Sequence, residues 1–81
     1  MGRYFFHICS RNERIEDLEG EDFDTVQAAL AEARIAAREI LADDILKGQT
    51  DETRRFEIVD SQGHLVARVP FSEALSHPAD R

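Results

Sequence analysis

The first nine residues carry a run of aromatic and aliphatic side chains with no helical repeat. Residues 3–9 therefore predict a strand, with apolar groups on both of its alternating faces. The polar stretch that follows predicts a turn, and residues 14–17, centred on Ile15, predict a short return strand. The two segments together predict an antiparallel pair at the start of the chain.

The pattern changes in the middle of the chain, where residues 25–47 contain no Gly or Pro and are rich in helix-favouring residues. An acidic loop over residues 18–24 precedes this segment. Asp24, with Gln27 three residues later, predicts a capping box at the start of the helix. Gly48 predicts a left-handed C-cap at its end.

A second pair of strands follows the helix. Residues 54–60 alternate, with Phe56 and Ile58 on one face. The turn at 60–63 ends in Gly63, which can adopt a positive φ. Residues 64–69 predict the returning strand, which Pro70 ends.

The order β-β-α-β-β predicts an α+β fold: a mostly antiparallel sheet of three to four strands with one long helix across one face. Tyr4, Phe6 and Ile8 are expected to face the helix, because the alternate face of that strand includes His7. Residues 1–75 are expected to form one domain, followed by a polar tail over residues 76–81.

The helix is unusual because it is apolar on two opposite sides. At about 100° per residue, one stripe predicts the core contact: Val26, Leu30, Ala33, Ala37 and Ile40. The opposite stripe, called here the outer helix face, comprises Ala28, Ala31, Ile35, Ala42 and Leu46. Arg34 and Arg38 form an arginine edge between the stripes, and Glu32, Glu39 and Asp43 form an acidic edge on the other side.

A helix that is apolar on both sides is generally covered on both sides. The outer helix face therefore predicts self-association, with a symmetric homodimer as the commonest result. The uncovered sheet face offers a second route to the same outcome. The competing interpretation is that the alanines serve helix propensity alone, leaving only Ile35 and Leu46 exposed.

The net charge of the chain disfavours two classes of binding partner. The net charge of −7 disfavours broad contact with nucleic acid or with an anionic membrane, because both depend on clustered Lys and Arg. The single cysteine excludes an internal disulfide and a thiolate zinc cluster. With no long apolar run and no secretion signal, a cytoplasmic location is expected.

The residues that could carry chemistry are few. His7 and Cys9 share one strand face and could serve a metal-binding protein or a small enzyme, but no third partner has a useful spacing. Arg54, Arg55 and Arg68 predict a small basic spot, interpreted as balancing nearby acids. A nucleic-acid-associated regulator is a further alternative, which the net charge disfavours. No catalytic, cofactor-binding or metal-ligating residue is predicted.

Several segments together resemble one known family. They are Arg3-Tyr4-Phe5-Phe6-His7, Asp17-Leu18-Glu19-Gly20, Glu32-Ala33 within the helix, Phe56-x-Ile58-x-Asp60-x-x-Gly63 and Val69-Pro70-Phe71. The chain resembles, over about residues 3–75, the short bacterial proteins of domain-of-unknown-function family DUF6894. Residues 10–13, Ser-Arg-Asn-Glu, depart from the Asp and Gly turn residues usual there. The resemblance implies the domain limits and element order, and it implies no activity.

Overall fold

The computed structural model describes residues 2–48, 51 and 53–76. Along the chain run β1 (Gly2–Cys9), β2 (Arg14–Ile15), β3 (Glu21–Phe23), α1 (Val26–Lys47), β4 (Arg55–Asp60), β5 (Leu65–Pro70) and α2 (Glu73–Ser76). The predicted α+β fold is confirmed. Within the predicted tail, residues 77–81 lie outside the described residues.

Within the described residues the sheet has five strands, and all of their pairings are antiparallel. Strand β1 lies at its centre and pairs along one edge with β4, and β5 extends the sheet beyond β4. On the other edge of β1, β2 pairs with its C-terminal end and β3 with its N-terminal end. Strand β3 is one more strand than the sequence predicts, because residues 21–23 have the composition of an acidic loop.

The ends of α1 show which cap prediction is right. Gly48 takes φ 71°, and its N–H bonds the carbonyls of Asp44 and Ile45, as expected of a left-handed C-cap. At the start, the predicted N-cap is wrong: Thr25, not Asp24, accepts from the backbone N–H of Ala28 through its side chain. The cap predicted from Asp24 and Gln27 is therefore displaced by one residue.

The core lies between α1 and one face of the sheet. Its buried members are Ala33, Ala37, Phe56, Ile58, Val69, Phe71 and Ala74. Tyr4, Phe6 and Ile8 pack against this cluster, which confirms the predicted orientation of β1. The ring of Phe56 lies 5.0 Å from that of Phe71 and 5.9 Å from that of Phe6, so aromatic contacts join three parts of the chain.

The seam of α1 that touches the sheet consists of alanines. Ala29, Ala33 and Ala37 are all 0% exposed and follow one another at intervals of four residues. The longer predicted core residues Leu30 and Ile40 are half-buried and flank the seam. Small side chains at the line of contact let the helix lie close to the sheet.

Candidate functional site

On the edge of β1 where β2 and β3 pair, the middle of the strand has no strand partner in the described part of the chain, and Asp17 fills this gap. Oδ2 of Asp17 accepts a hydrogen bond from the backbone N–H of Phe6 at 3.0 Å. Oδ1 accepts from the N–H groups of Glu19 and Gly20, both at 3.1 Å. The N–H of Asp17 donates to Nδ1 of His7 at 3.0 Å. Two side chains thus satisfy backbone groups that a continuous strand would otherwise pair.

The surroundings of Asp17 favour its ionised form. Partial burial raises the pKa of the carboxyl group, but the N–H donors of Phe6, Gly20 and Glu19, together with nearby His7, outweigh burial and lower it. The ionised group can accept from all three donors at once. The turn over residues 17–20, called here the Asp17 turn, therefore depends on this charge.

The last residue of the Asp17 turn must be glycine for two reasons. Gly20 has a φ of +70°, which L-residues with a side chain rarely adopt. A Cβ at this position would also lie 2.8 Å from Cε2 of Phe5 and 2.9 Å from the carbonyl oxygen of Tyr4. The turn can therefore pack against β1 only if residue 20 has no side chain.

Both residues of the predicted His-Cys alternative make structural contacts. Nδ1 of His7 accepts from Asp17, as described above. Cys9 is 3% exposed, and its Sγ lies 3.2 Å from Nη1 of Arg14. Among the residues that the structure describes, no group of three or more His, Cys, Asp and Glu side chains is placed to hold a metal ion. The geometry thus gives each side chain a packing or hydrogen-bonding role.

A shallow cavity of about 260 Å³ opens beside the Asp17 turn, between β1 and α1. Phe6 and Phe56 contribute apolar surface to it, and the acidic residues along it are Asp17, Glu19, Glu21 and Glu32. Glu32 belongs to the acidic edge of α1, so the loop carboxylates extend that edge toward the sheet. This side of the molecule is accordingly strongly negative.

The sheet face turned away from α1, called here the open sheet face, is arranged in cross-strand rows. One row is Phe5, Val59 and Leu65, the next is His7, Glu57 and Arg68, and the third is Arg14, Cys9 and Arg55. The first row is apolar, with Leu65 45% exposed, and Val66 beside it is 36% exposed. The other rows are mostly polar, so the apolar part of this face is small.

Glu57 organises the charged part of the open sheet face. Its carboxylate accepts from Arg55 at 3.0 Å, Arg14 at 3.1 Å and Arg68 at 3.4 Å. Partial burial raises the pKa of Glu57, but these arginines lower it by more. The predicted basic spot therefore forms around an acid, as expected for Arg55 and Arg68. Arg54 is not part of it, because its guanidinium pairs with Asp44 of α1 and lies 5.1 Å from the centre of the Phe71 ring.

The five residues of the outer helix face are distributed as the helical repeat requires. Ala28, Ile35, Ala42 and Leu46 are exposed, and Ala31 is half-buried. Leu46 is 86% exposed and Ile35 36%. Sequence reasoning misses Ile45, which is 68% exposed beside this stripe. Its proximity to the end of α1, where the helix runs past its buried alanine seam, is the signal that could have identified it.

The Asp17 turn and β1 bring residues 3–7 and 17–20, two of the segments on which the family resemblance rests, into one hydrogen-bonded unit. The family model described as Domain of unknown function (DUF6894) matches residues 3–72. The chain belongs to the DUF6894 family. This match confirms the resemblance seen in the sequence, and it ends close to the last buried residues, Phe71 and Ala74.

Other comparisons add no further relative to the DUF6894 assignment. No curated protein matches the chain significantly, and no solved structure does so either. None of the helices in the described ranges combines the length and the apolar character needed to cross a membrane. The geometry of the molecule itself must therefore support any functional proposal.

Proposed function

We propose that this chain is a small interaction module without catalytic activity, which associates with a second copy of itself as a homodimer through the outer helix face. One observation carries the proposal: Leu46, on a stripe with Ile35, is 86% exposed. Fully burying a leucine side chain contributes about 1.5–3 kcal/mol. In a symmetric dimer, each copy would bury its own Leu46 and Ile35, so each residue would contribute once from each copy.

Because the domain is small, such a contact would add substantially to its stability. A chain of 81 residues buries only about 60–65% of the surface its unfolded form exposes, so its stability is limited. The core is confined to one side of the sheet and includes Ala33, Ala37 and Ala74, which offer little apolar surface each. Covering the outer helix face would give α1 a second buried side.

The open sheet face is less suited to the same role. Its charged rows are already paired internally through Glu57. The outermost strand, β5, carries Arg68 and ends in Pro70, which has no N–H to donate to a further strand. Charged residues and proline are typical of edges that resist pairing with another chain.

Light scattering over a concentration series tests the proposal directly. The wild-type chain, of 9.2 kDa, is expected to give twice that mass at micromolar concentrations. Leu46→Glu and Ile35→Glu are expected to give the monomer mass with an unchanged circular dichroism spectrum. Leu65→Glu, which puts the same charge on the open sheet face, serves as the control and is expected to remain dimeric.

Two results would contradict this function. A monomer mass for the wild type at every concentration would remove self-association altogether. If Leu65→Glu lost the dimer and Leu46→Glu kept it, the dimer contact would lie on the open sheet face. The described residues contain no group of three or more His, Cys, Asp and Glu side chains to support the metal-binding alternative, and the net charge of −7 disfavours the nucleic-acid alternative.

A further inference from the structure

We propose that the two α1 helices of the homodimer run parallel, with the twofold axis along them, so that the arginine edge of each copy faces the acidic edge of the other. This geometry rests on the proposed self-association and specifies it further. It follows from the positions of the charges around α1 and from the two ways in which a twofold axis can relate two helices.

The charges flank the outer helix face asymmetrically. At about 100° per residue, Ala28, Ile35, Ala42 and Leu46 lie within roughly 20° of one line along the helix. Arg34 and Arg38 lie on one side of that line. The acids Glu32 and Glu39 lie on the other side, and so does Asp43, whose carboxylate pairs with Lys47 of the same helix at 2.9 Å, so Glu32 and Glu39 carry most of the negative charge of that edge. A partner that covers the line must therefore meet positive charge on one flank and negative charge on the other.

Twofold symmetry allows two arrangements of such a face. If the axis is perpendicular to the helices, they are antiparallel and each flank meets the same flank of the other copy. Acidic edges then face each other, and so do arginine edges. If the axis lies along the helices, they are parallel and each flank meets the opposite flank. Only the parallel arrangement brings opposite charges together on both sides.

The surroundings of each edge strengthen this preference. Glu19 of the Asp17 turn and Glu21 of β3 line the cavity beside Glu32 and add to the negative charge of the acidic edge. An antiparallel dimer would place two such regions against each other in a protein of net charge −7. On the other flank, Nε of Arg34 is buried without a hydrogen-bond partner among the described residues. The carboxylates of an approaching acidic edge would act on the charge of this guanidinium at a distance, because the buried Nε itself is out of reach of a second copy.

A parallel arrangement also fixes which residues meet. Identical positions lie opposite each other, so Leu46 of one copy contacts Leu46 of the second copy at one end, and Ala28 contacts Ala28 at the other. In an antiparallel pair centred between Ile35 and Ala42, the two Leu46 residues would instead lie roughly 22 Å apart, at ~1.5 Å per residue. The two geometries therefore predict different cross-links.

Disulfide cross-linking distinguishes them. In a Cys9→Ser background, checked for folding by circular dichroism, Ala28→Cys and Leu46→Cys are each expected to form covalent dimers under mild oxidation. When the two variants are mixed and carry different mass tags, the parallel dimer gives only same-position products. A mixed product, in which position 28 of one copy is bonded to position 46 of the other, would overturn the inference. A dimer mass with no cross-link at either position would overturn it too.

The sign of a charge-reversal effect gives a second test that needs no cysteine. Glu39→Lys is expected to weaken the dimer about tenfold, because the new lysine faces the arginine edge at both symmetric positions. Glu13→Lys makes the same change in net charge at an exposed site before β2, and it is expected to leave the affinity unchanged. In an antiparallel dimer, Glu39→Lys would relieve repulsion and strengthen association, which would overturn the inference.

These experiments separate the two proposals. If the wild-type chain is monomeric at every concentration, both the proposed function and the parallel geometry are wrong. A stable wild-type dimer that strengthens on Glu39→Lys, or that forms the mixed cross-link, leaves self-association intact and refutes only the parallel arrangement.

Discussion

The backbone N–H of Phe6 donates a hydrogen bond to the carboxylate of Asp17 at 3.0 Å, across 11 positions in the chain. This contact places a side chain where the sheet would otherwise need another strand. The same carboxylate holds its own turn closed through Glu19 and Gly20. One acid therefore joins the central strand to the loop that carries β3.

Replacing Asp17 with asparagine tests this linkage. The amide nitrogen cannot accept a hydrogen bond, so Asp17→Asn leaves at least one of the three backbone donors without its acceptor. A loss of about 1–3 kcal/mol in the free energy of unfolding is expected, measured by urea denaturation. Glu19→Gln is the matched control, because the Glu19 carboxylate has no partner among the described residues. Equal stability of the two variants would contradict the role assigned to Asp17.

Acid should weaken the fold through the same group. The pKa of Asp17 is lower in the folded chain than its usual value, as are those of Glu57 and Asp60. A lowered folded pKa stabilises the fold above the ordinary carboxyl pKa, and this stabilisation is lost as pH falls through the folded value. The melting temperature is therefore expected to fall between about pH 5 and pH 2. Asp17→Asn should show a shallower fall, and identical slopes would exclude a contribution from Asp17.

Glycine at position 20 is required by space as well as by backbone conformation, and a matched pair of variants separates the two. Gly63 has a φ of +85°, and a Cβ there would meet nothing within 4 Å. Gly63→Ala should therefore lower the free energy of unfolding only by the strain of a left-handed backbone, about 1–2 kcal/mol. Gly20→Ala adds the clash with Phe5 and Tyr4 and should cost roughly 1–3 kcal/mol more. Comparable unfolding free energies for the two variants would show that the turn moves away from β1 at little cost.

The ion pair between Arg54 and Asp44 fixes the late part of α1 to the segment before β4. Its side chains are only 17% and 13% exposed, and Arg54 also lies over the Phe71 ring. Asp44→Ala leaves a mostly buried guanidinium without its counter-charge and should cost about 3 kcal/mol. Asp22→Ala breaks the exposed pair with Arg3, 3.3 Å long, and should cost no more than about 1 kcal/mol. Thermal unfolding of both variants measures the difference.

The fold was predictable where local sequence is decisive. Gly48 and Gly63 mark turns that need positive φ, and Phe56 and Ile58 alternate strongly enough to place β4. Strand β3 was not predictable, because the acidic Glu21-Asp22-Phe23 has little intrinsic strand preference and becomes a strand only by pairing with β1. The choice between Asp24 and Thr25 as N-cap has the same origin. Both residues can cap, and the path of the chain out of β3 decides which one does.

The candidate sites divide in the same way. The exposure of Leu46 and the two charged edges of α1 follow from helical periodicity, so the sequence could indicate them. The contacts of Asp17 with Phe6 and His7 depend on a gap between two short strands, and local sequence carries no signal for that gap. The adjacency of Arg54 and Arg55 in the sequence predicts a common basic spot with Arg68, and this is wrong for Arg54. Arg54 precedes β4, and its guanidinium turns toward Asp44 of α1, which separates it from the other two.

The seam of Ala29, Ala33 and Ala37 limits how this protein can change. Each is 0% exposed, so a larger residue at any of them would push the helix away from the sheet and open space elsewhere in the core. Laboratory selection for heat resistance would therefore find few gains by enlarging the interior. We expect variants of higher thermal stability to carry substitutions in turns, helix caps and surface charges. We expect the three alanines of the seam to remain unchanged in them.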